Sequence, residues 1–182
     1  RRSRKTVMEN TLTVALARQS VLARQMDVIA TNMANATTAG FKAENMIFAE
    51  QIETTETGEI LSLVHDVGFI RDMSEGSMTA TNSPLDLAIH GDAFFVVETP
   101  DGPRYTRHGA FQLDSQGRIV TLEGRPILNI GGAPTIVPPE TSNIVITRDG
   151  TVSADAQEIG RIQLVRFENA QALKKEGLSL YN

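Results

Sequence analysis

The stretch "SPLDLAIHGDAFFVVETPDG", Ser83 to Gly102, carries the pattern that decides the fold. Leu85, Leu87 and Ile89 alternate with polar or small residues, the period of a half-buried strand. After a glycine, Phe95 and Val97 take up one face again, and Asp101-Gly102 closes the segment as a turn. Downstream the same punctuation recurs at Gln116-Gly117, Glu123-Gly124, Gly131-Gly132 and Asp149-Gly150. Between these turns lie short apolar runs: "RIVTL" at 118–122, "PILNI" at 126–130, "NIVITR" at 143–148 and "RIQLVRF" at 161–167. Short strands at this spacing predict an all-β domain with hairpin connections. Pro138-Pro139 is a stiff link between two of them.

Upstream the character reverses. From Asn10 to Ala34 glycine and proline are both absent, and Leu12, Leu22, Met26, Ile29 and Met33 fall near a heptad spacing. Ala15 and Gln19 complete the a and d positions, giving the shortest pattern that supports a coiled coil. The seam is built of small and flexible residues, and an isolated helix of this length is marginal in water. It needs a partner, either another helix or its own domain. The helix runs out in "IATNMANATTAGFKAE", Ile29 to Glu44. There Asn and Thr side chains can satisfy the freed backbone groups, Gly40 can take a positive φ, and Phe41 can bury its ring. The surplus of small and amide residues suggests close packing against other helices as well, with Asn32 and Asn35 as contacts. Asn45 to Met78, acidic and threonine-rich in places such as "ETTETGE", reads as an extended connector, with "ILSLV" at 60–64 offering one strand.

The totals narrow the class. The chain has 182 residues, 41% hydrophobic and 21% charged, with a formal charge of −5. That suits one domain with an arm and excludes a low-complexity disordered chain. The acidic balance argues against nucleic-acid binding. The one basic cluster, "RRSRK" at 1–5, stands outside any periodic pattern and reads as a tail or tag remnant covering 1–7. Without cysteine there are no disulfides, thiolate metal sites or Cys nucleophiles. No run approaches a membrane span, and no cleavable signal peptide is apparent.

Candidate chemistry is sparse. His65, His90 and His108 lack metal-ligand spacing. His90 beside Asp92, with Ser77 or Ser83 as nucleophile, is the hydrolase alternative, but there is no G-x-S-x-G elbow. "EGSMTATNSPLD" lacks the ligand order of an EF-hand and reads as a turn. "DGPRYTRHGAF" gathers Arg104, Tyr105, Arg107 and His108 around a hairpin, offering an outer-domain contact patch or a ligand-binding face. No cofactor, metal, small-molecule substrate or catalytic residue is expected.

Two segments together resemble the bacterial flagellar rod and hook protein family. "MENTLTVALARQSVLARQMDVIATNMANATTAGFKAE", 8–44, is similar to its opening, a helix followed by A-N-N-[IL]-A-N-x-x-T-x-G-[FY]-K. The matching residues are Ala30, Asn32, Ala34, Asn35, Thr38, Gly40, Phe41 and Lys42, with Thr31 and Met33 as departures. "SPLDLAIHGDAFFVVETPDGPRYTRHGAFQLDSQGRIVTLEGRPIL", 83–128, resembles the family core, whose usual form reads D-x-A-I-x-G-x-G-F-F and then Y-T-R-x-G-x-F. Ala93 stands where a glycine is usual, and Ala110 where Asn is frequent.

The resemblance implies a non-catalytic subunit of the basal-body rod, nearest the proximal-rod members, with distal-rod or hook subunits as the alternative. It implies export through the flagellar type III apparatus without a cleaved signal peptide. Assembly would then follow in the periplasm, with other rod proteins and copies of itself, into the shaft that carries torque from motor to hook. It further implies that the N-terminal helix is half of a coiled-coil assembly domain whose C-terminal partner helix is absent, as in a shortened chain. The expected fold is therefore mainly β, a complex all-β outer domain with an N-terminal α-helix and an extended linker. The expected parts are the tail (1–7), assembly helix and joint (8–44), linker (45–65), β core (66–172) and the start of a return segment (173–182). The expected assembly interface is Leu12, Leu16, Leu22, Met26, Ile29, Asn32, Met33, Asn35, Thr38, Gly40 and Phe41.

Overall fold

In the computed structural model the backbone is described for residues 2–54, 60–177 and 179–182, and the side chains for 12, 14–49, 68–177 and 179–182. The chain divides into two units, one of residues 1–37 and 42–72, the other of 38–41 and 73–182.

The first unit is a helix, α1 (Arg2–Ala34), and an antiparallel hairpin, β1 (Glu44–Thr54) with β2 (Ile60–Arg71). The helix runs back to Arg2, so 2–7 are continuous with it and do not form a separate tail; nothing there breaks a helix. Val14, Ala17, Val21, Gln25 and Val28 are half-buried, and the helix packs along the hairpin. Their 3- and 4-residue spacing is one helical face.

The extended connector expected over 45–65 is a paired hairpin. Its register runs from Glu44↔Arg71 to Thr54↔Ile60, with a bulge between Ile47 and Phe48. Ladder hydrogen bonds from a distant partner strand stabilise it, which no local apolar pattern announces. Of the polar stretch "ETTETGE", residues 55–59 lie outside the described residues. Because β2 continues to Arg71, the β domain begins at Met73 and not at residue 66.

The second unit holds β3 (Ala93–Thr99), β4 (Gly102–Thr106), β5 (Phe111–Leu113), β6 (Ile119–Thr121), β7 (Ile144–Ile146), β8 (Thr151–Ala154), β9 (Gln157–Arg161), β10 (Leu164–Arg166), β11 (Lys175–Glu176) and β12 (Leu180–Tyr181). A five-stranded sheet has the order β10-β3-β4-β12-β11; β5-β6 and β7-β8-β9 form smaller sheets. Successive residues on a strand face opposite ways, so Phe94 and Phe95 seed two cores. Phe95 packs with Phe111, Ile119, Ile127, Val152 and Ile162. Phe94 packs with Leu173 and Tyr181, edge-on to the Tyr181 ring at 5.6 Å.

The return segment expected over 173–182 does not leave the domain. Leu173, Leu180 and Tyr181 are buried, and β12 pairs with β4 through Leu180↔Thr106. Leu173 and Tyr181 fill the second core, which the sequence pattern of so short a segment does not reveal.

Most of the predicted turns share one geometry. In 114–118, 121–125, 129–133 and 147–151 the first N–H donates to the fifth carbonyl, and the fourth, a glycine, donates back to the first. Gly117, Gly124, Gly132 and Gly150 all have φ between +76° and +85°. This is a tight hairpin closed by a left-handed glycine. Three strand segments so connected close on themselves. Ile119 N donates to Thr135 O at 3.0 Å, Thr135 N to Ile127 O at 3.1 Å, and Ile127 N to Ile119 O at 2.9 Å. Ile119, Ile127 and Thr135 are almost wholly buried around that ring.

Candidate assembly surface

The apolar residues read as a seam are the ones the helix leaves open. Leu12, Leu16, Leu22, Met26, Ile29 and Met33 are 46–73% exposed. At about 100° per residue they cluster on the side of α1 away from the Val14–Val28 face that meets the hairpin. The helix thus carries two apolar faces, one covered within its own unit and one uncovered. Large uncovered apolar surface of this kind marks an interaction site. The hairpin adds Ile47, Phe48, Phe69 and Ile70, also exposed. Those four were not picked out from the sequence, because the segment read as a connector.

The joint residues face inward. Asn32 Nδ2 donates to Glu44 O at 2.8 Å while its Oδ1 accepts from Glu44 N at 3.1 Å, so one amide brackets the backbone where the hairpin starts. Asn35 is 8% exposed and its Nδ2 donates to Thr31 O at 2.8 Å, capping the last turn. Thr38 O accepts from Phe41 N. Gly40 sits at φ +70°, where an added Cβ would meet Arg107 O, and the Lys175 ammonium lies 4.5 Å from the Phe41 ring centroid. Asn32 and Asn35 thus each bond backbone at the end of the helix, while Thr38, Gly40 and Phe41 lie against the second unit, to which they belong.

The expected outer patch also resolves into separate roles. Arg104 Nε binds Glu176 Oε2 at 2.6 Å, and that hydrogen bond raises the guanidinium pKa while lowering that of the carboxyl. Tyr105 stacks edge-on against Phe167 at 4.7 Å. Arg107 is buried beside Phe94, and His108 N hydrogen-bonds Thr106 Oγ1 at 3.0 Å. The Arg104, Tyr105 and Arg107 side chains therefore each meet a different neighbour within the domain.

No catalytic constellation assembles among the described residues. His90 Nδ1 pairs with Glu75 Oε2 at 2.8 Å, on an open surface and with neither Ser77 nor Ser83 among its partners. Among the described residues, no three histidine or acidic side chains converge to hold a metal ion, and no helix is long and apolar enough to cross a membrane. A groove lined by Val96, Glu98, Pro103, Tyr105, Leu128 and Gln163 is shallow and open.

An uncovered helical stripe joined to a hydrogen-bonded β domain is the anatomy of a structural subunit. Comparison with known proteins gives the family. Residues 88–154 match the family model described as the flagellar hook protein FlgE/F/G D1 domain. The flagellar basal-body rod protein FlgF of Caulobacter vibrioides is 39% identical over 178 residues, covering 96% of this chain and 73% of that one. FlgF of Mesorhizobium japonicum is 34% identical, covering 94% and 71%, and the rod protein FlgG of Bacillus subtilis is 36% identical, covering 86% and 67%. The chain belongs to the flagellar rod and hook family and stands with its FlgF members. It is a structural subunit of the flagellar basal-body rod, of the proximal-rod kind.

Proposed function

We propose that the uncovered stripe Leu12, Leu16, Leu22, Met26, Ile29 and Met33 is the seam by which this subunit joins the rod. The observation that carries this is the exposure of six large apolar side chains on one side of a helix whose other side is already covered. Burying a Leu or Met side chain is worth about 1.5–3 kcal/mol, so six together supply ample driving force for helix–helix association. The partners are helices of other rod proteins or of further copies of this chain. The β domain, 73–182, forms the outer layer, and the joint at 38–41 ties it to the helical segment. In this role the subunit is exported by the flagellar type III apparatus without cleavage and polymerises in the periplasm. There it forms part of the shaft that carries torque.

The test is a paired substitution, Leu22→Glu with Met26→Glu. Both side chains are exposed in the subunit, so its thermal unfolding should be unchanged. Basal bodies isolated from cells carrying the variant should lack it, and swimming should be lost. Normal incorporation of the double variant would refute the seam.

A further inference from the structure

Arg107 is a buried charge that the seam does not use. The residue is 9% exposed and its Cζ lies 4.8 Å from the Phe94 ring centroid. Nε and Nη2 are shielded from solvent and have no hydrogen-bond acceptor. The aromatic face offsets the positive charge but cannot accept from N–H groups lying in the guanidinium plane. Burial pushes the Arg107 pKa down, opposed by the negative charges of Asp92 and Glu75. The open Nε/Nη2 edge is the fork that a carboxylate bridges with two parallel hydrogen bonds.

Two carboxylates act on its charge, Asp92 first and then Glu75. Asp92 is fixed immediately ahead of β3, whose first residue Ala93 pairs with Arg166, so its backbone has little freedom. Glu75 lies on the irregular segment 73–83, anchored at its base by Met73 in the second core. Its present bonds are to Gly91 N at 2.5 Å and to His90 Nδ1 at 2.8 Å, and the His90 side chain is 88% exposed. Those bonds hold the carboxylate at the 90–92 turn, a few residues before the Phe94 ring on which Arg107 lies.

We propose that Glu75 is the acceptor Arg107 lacks. The 73–83 segment is a strap with a closed state, in which the Glu75 carboxylate leaves His90 and bridges Nε and Nη2 of Arg107. To close, the carboxylate gives up an exposed pair with His90, worth little, and one bond from Gly91 N, and gains a bidentate bond to a desolvated guanidinium. The strap would then act as a lid over the Phe94–Tyr181 core, with His90 as its open rest.

Exchange of the Arg107 Nε–H proton, followed by NMR on the whole chain, tests this. Glu75 and His90 are both surface side chains, so Glu75→Gln and His90→Gln leave the fold intact. Glu75→Gln should speed exchange of that proton by about threefold or more, while His90→Gln, which removes the charged partner and leaves only the Gly91 bond, should slow it. Unchanged exchange in both variants overturns the proposal. So does acceleration in Asp92→Asn with none in Glu75→Gln, which would make Asp92 the partner.

Discussion

A Cβ on Gly40 would lie 2.3 Å from the carbonyl oxygen of Arg107, closer than any side chain can approach a backbone atom. Gly40 also sits at φ +70°, so both its conformation and its surroundings require glycine. Gly40→Ala should destabilise the β domain by about 2 kcal/mol or more, combining backbone strain with a steric clash. Urea unfolding of the two proteins checks it; an unchanged midpoint would show that the joint does not dock as described.

Thr135 makes the opposite case. It occupies the ring position equivalent to Ile119 and Ile127, is 1% exposed, and its hydroxyl has no hydrogen-bond partner. A buried hydroxyl without a partner costs about 1–3 kcal/mol, and valine has nearly the same shape without it. Thr135→Val should therefore stabilise the domain by about 1 kcal/mol, read as a higher urea midpoint at unchanged slope.

The turns were legible because each depends on a residue type the backbone demands: Gly117, Gly124, Gly132 and Gly150 all adopt positive φ. The apolar periodicity of Leu12 through Met33 was legible for a similar reason, since it stands in the sequence whether or not a partner is present. The hairpin of β1 and β2 was not. It pairs strands whose ends, Glu44 and Arg71, lie far apart in the sequence, and neither strand has a simple apolar alternation. Asn32 shows the limit for single residues. Its residue type suits a bond to another subunit or to its own backbone, and only the fold shows that it brackets Glu44. Arg107 is the same problem in reverse, because a surface residue type in a hairpin gives no sign that it will be buried.

Asp155 and Ala156 form the two-residue loop between Ala154 and Gln157, with φ +47° and +69°. A loop with two positive φ values favours Asn or Asp followed by Gly. The Asp155 carboxylate already accepts from Ser142 N and Asn143 N. Ala156 is strained. Ala156→Gly should stabilise the chain by about 0.5–1 kcal/mol, despite the greater freedom glycine gives the unfolded state. A thermal shift upward checks this; a downward shift would place the loop in another conformation.

Asp149 closes the β7–β8 turn, accepting from the Thr147 hydroxyl at 2.5 Å and the Thr151 hydroxyl at 2.9 Å. Those hydroxyls, opposed by desolvation, lower its pKa to about 2. The depressed value means that the folded turn favours the ionised form. Its contribution is complete above the unfolded carboxyl value of about 3.9 and is lost as pH falls through about 2. Amide exchange across 147–151 should therefore stay protected down to about pH 4, after correction for the intrinsic rate, and lose protection between about pH 4 and 2. In Asp149→Asn that loss should vanish from the pH profile, because the amide does not titrate. Persistence of the same acid transition in the variant would assign it to another group.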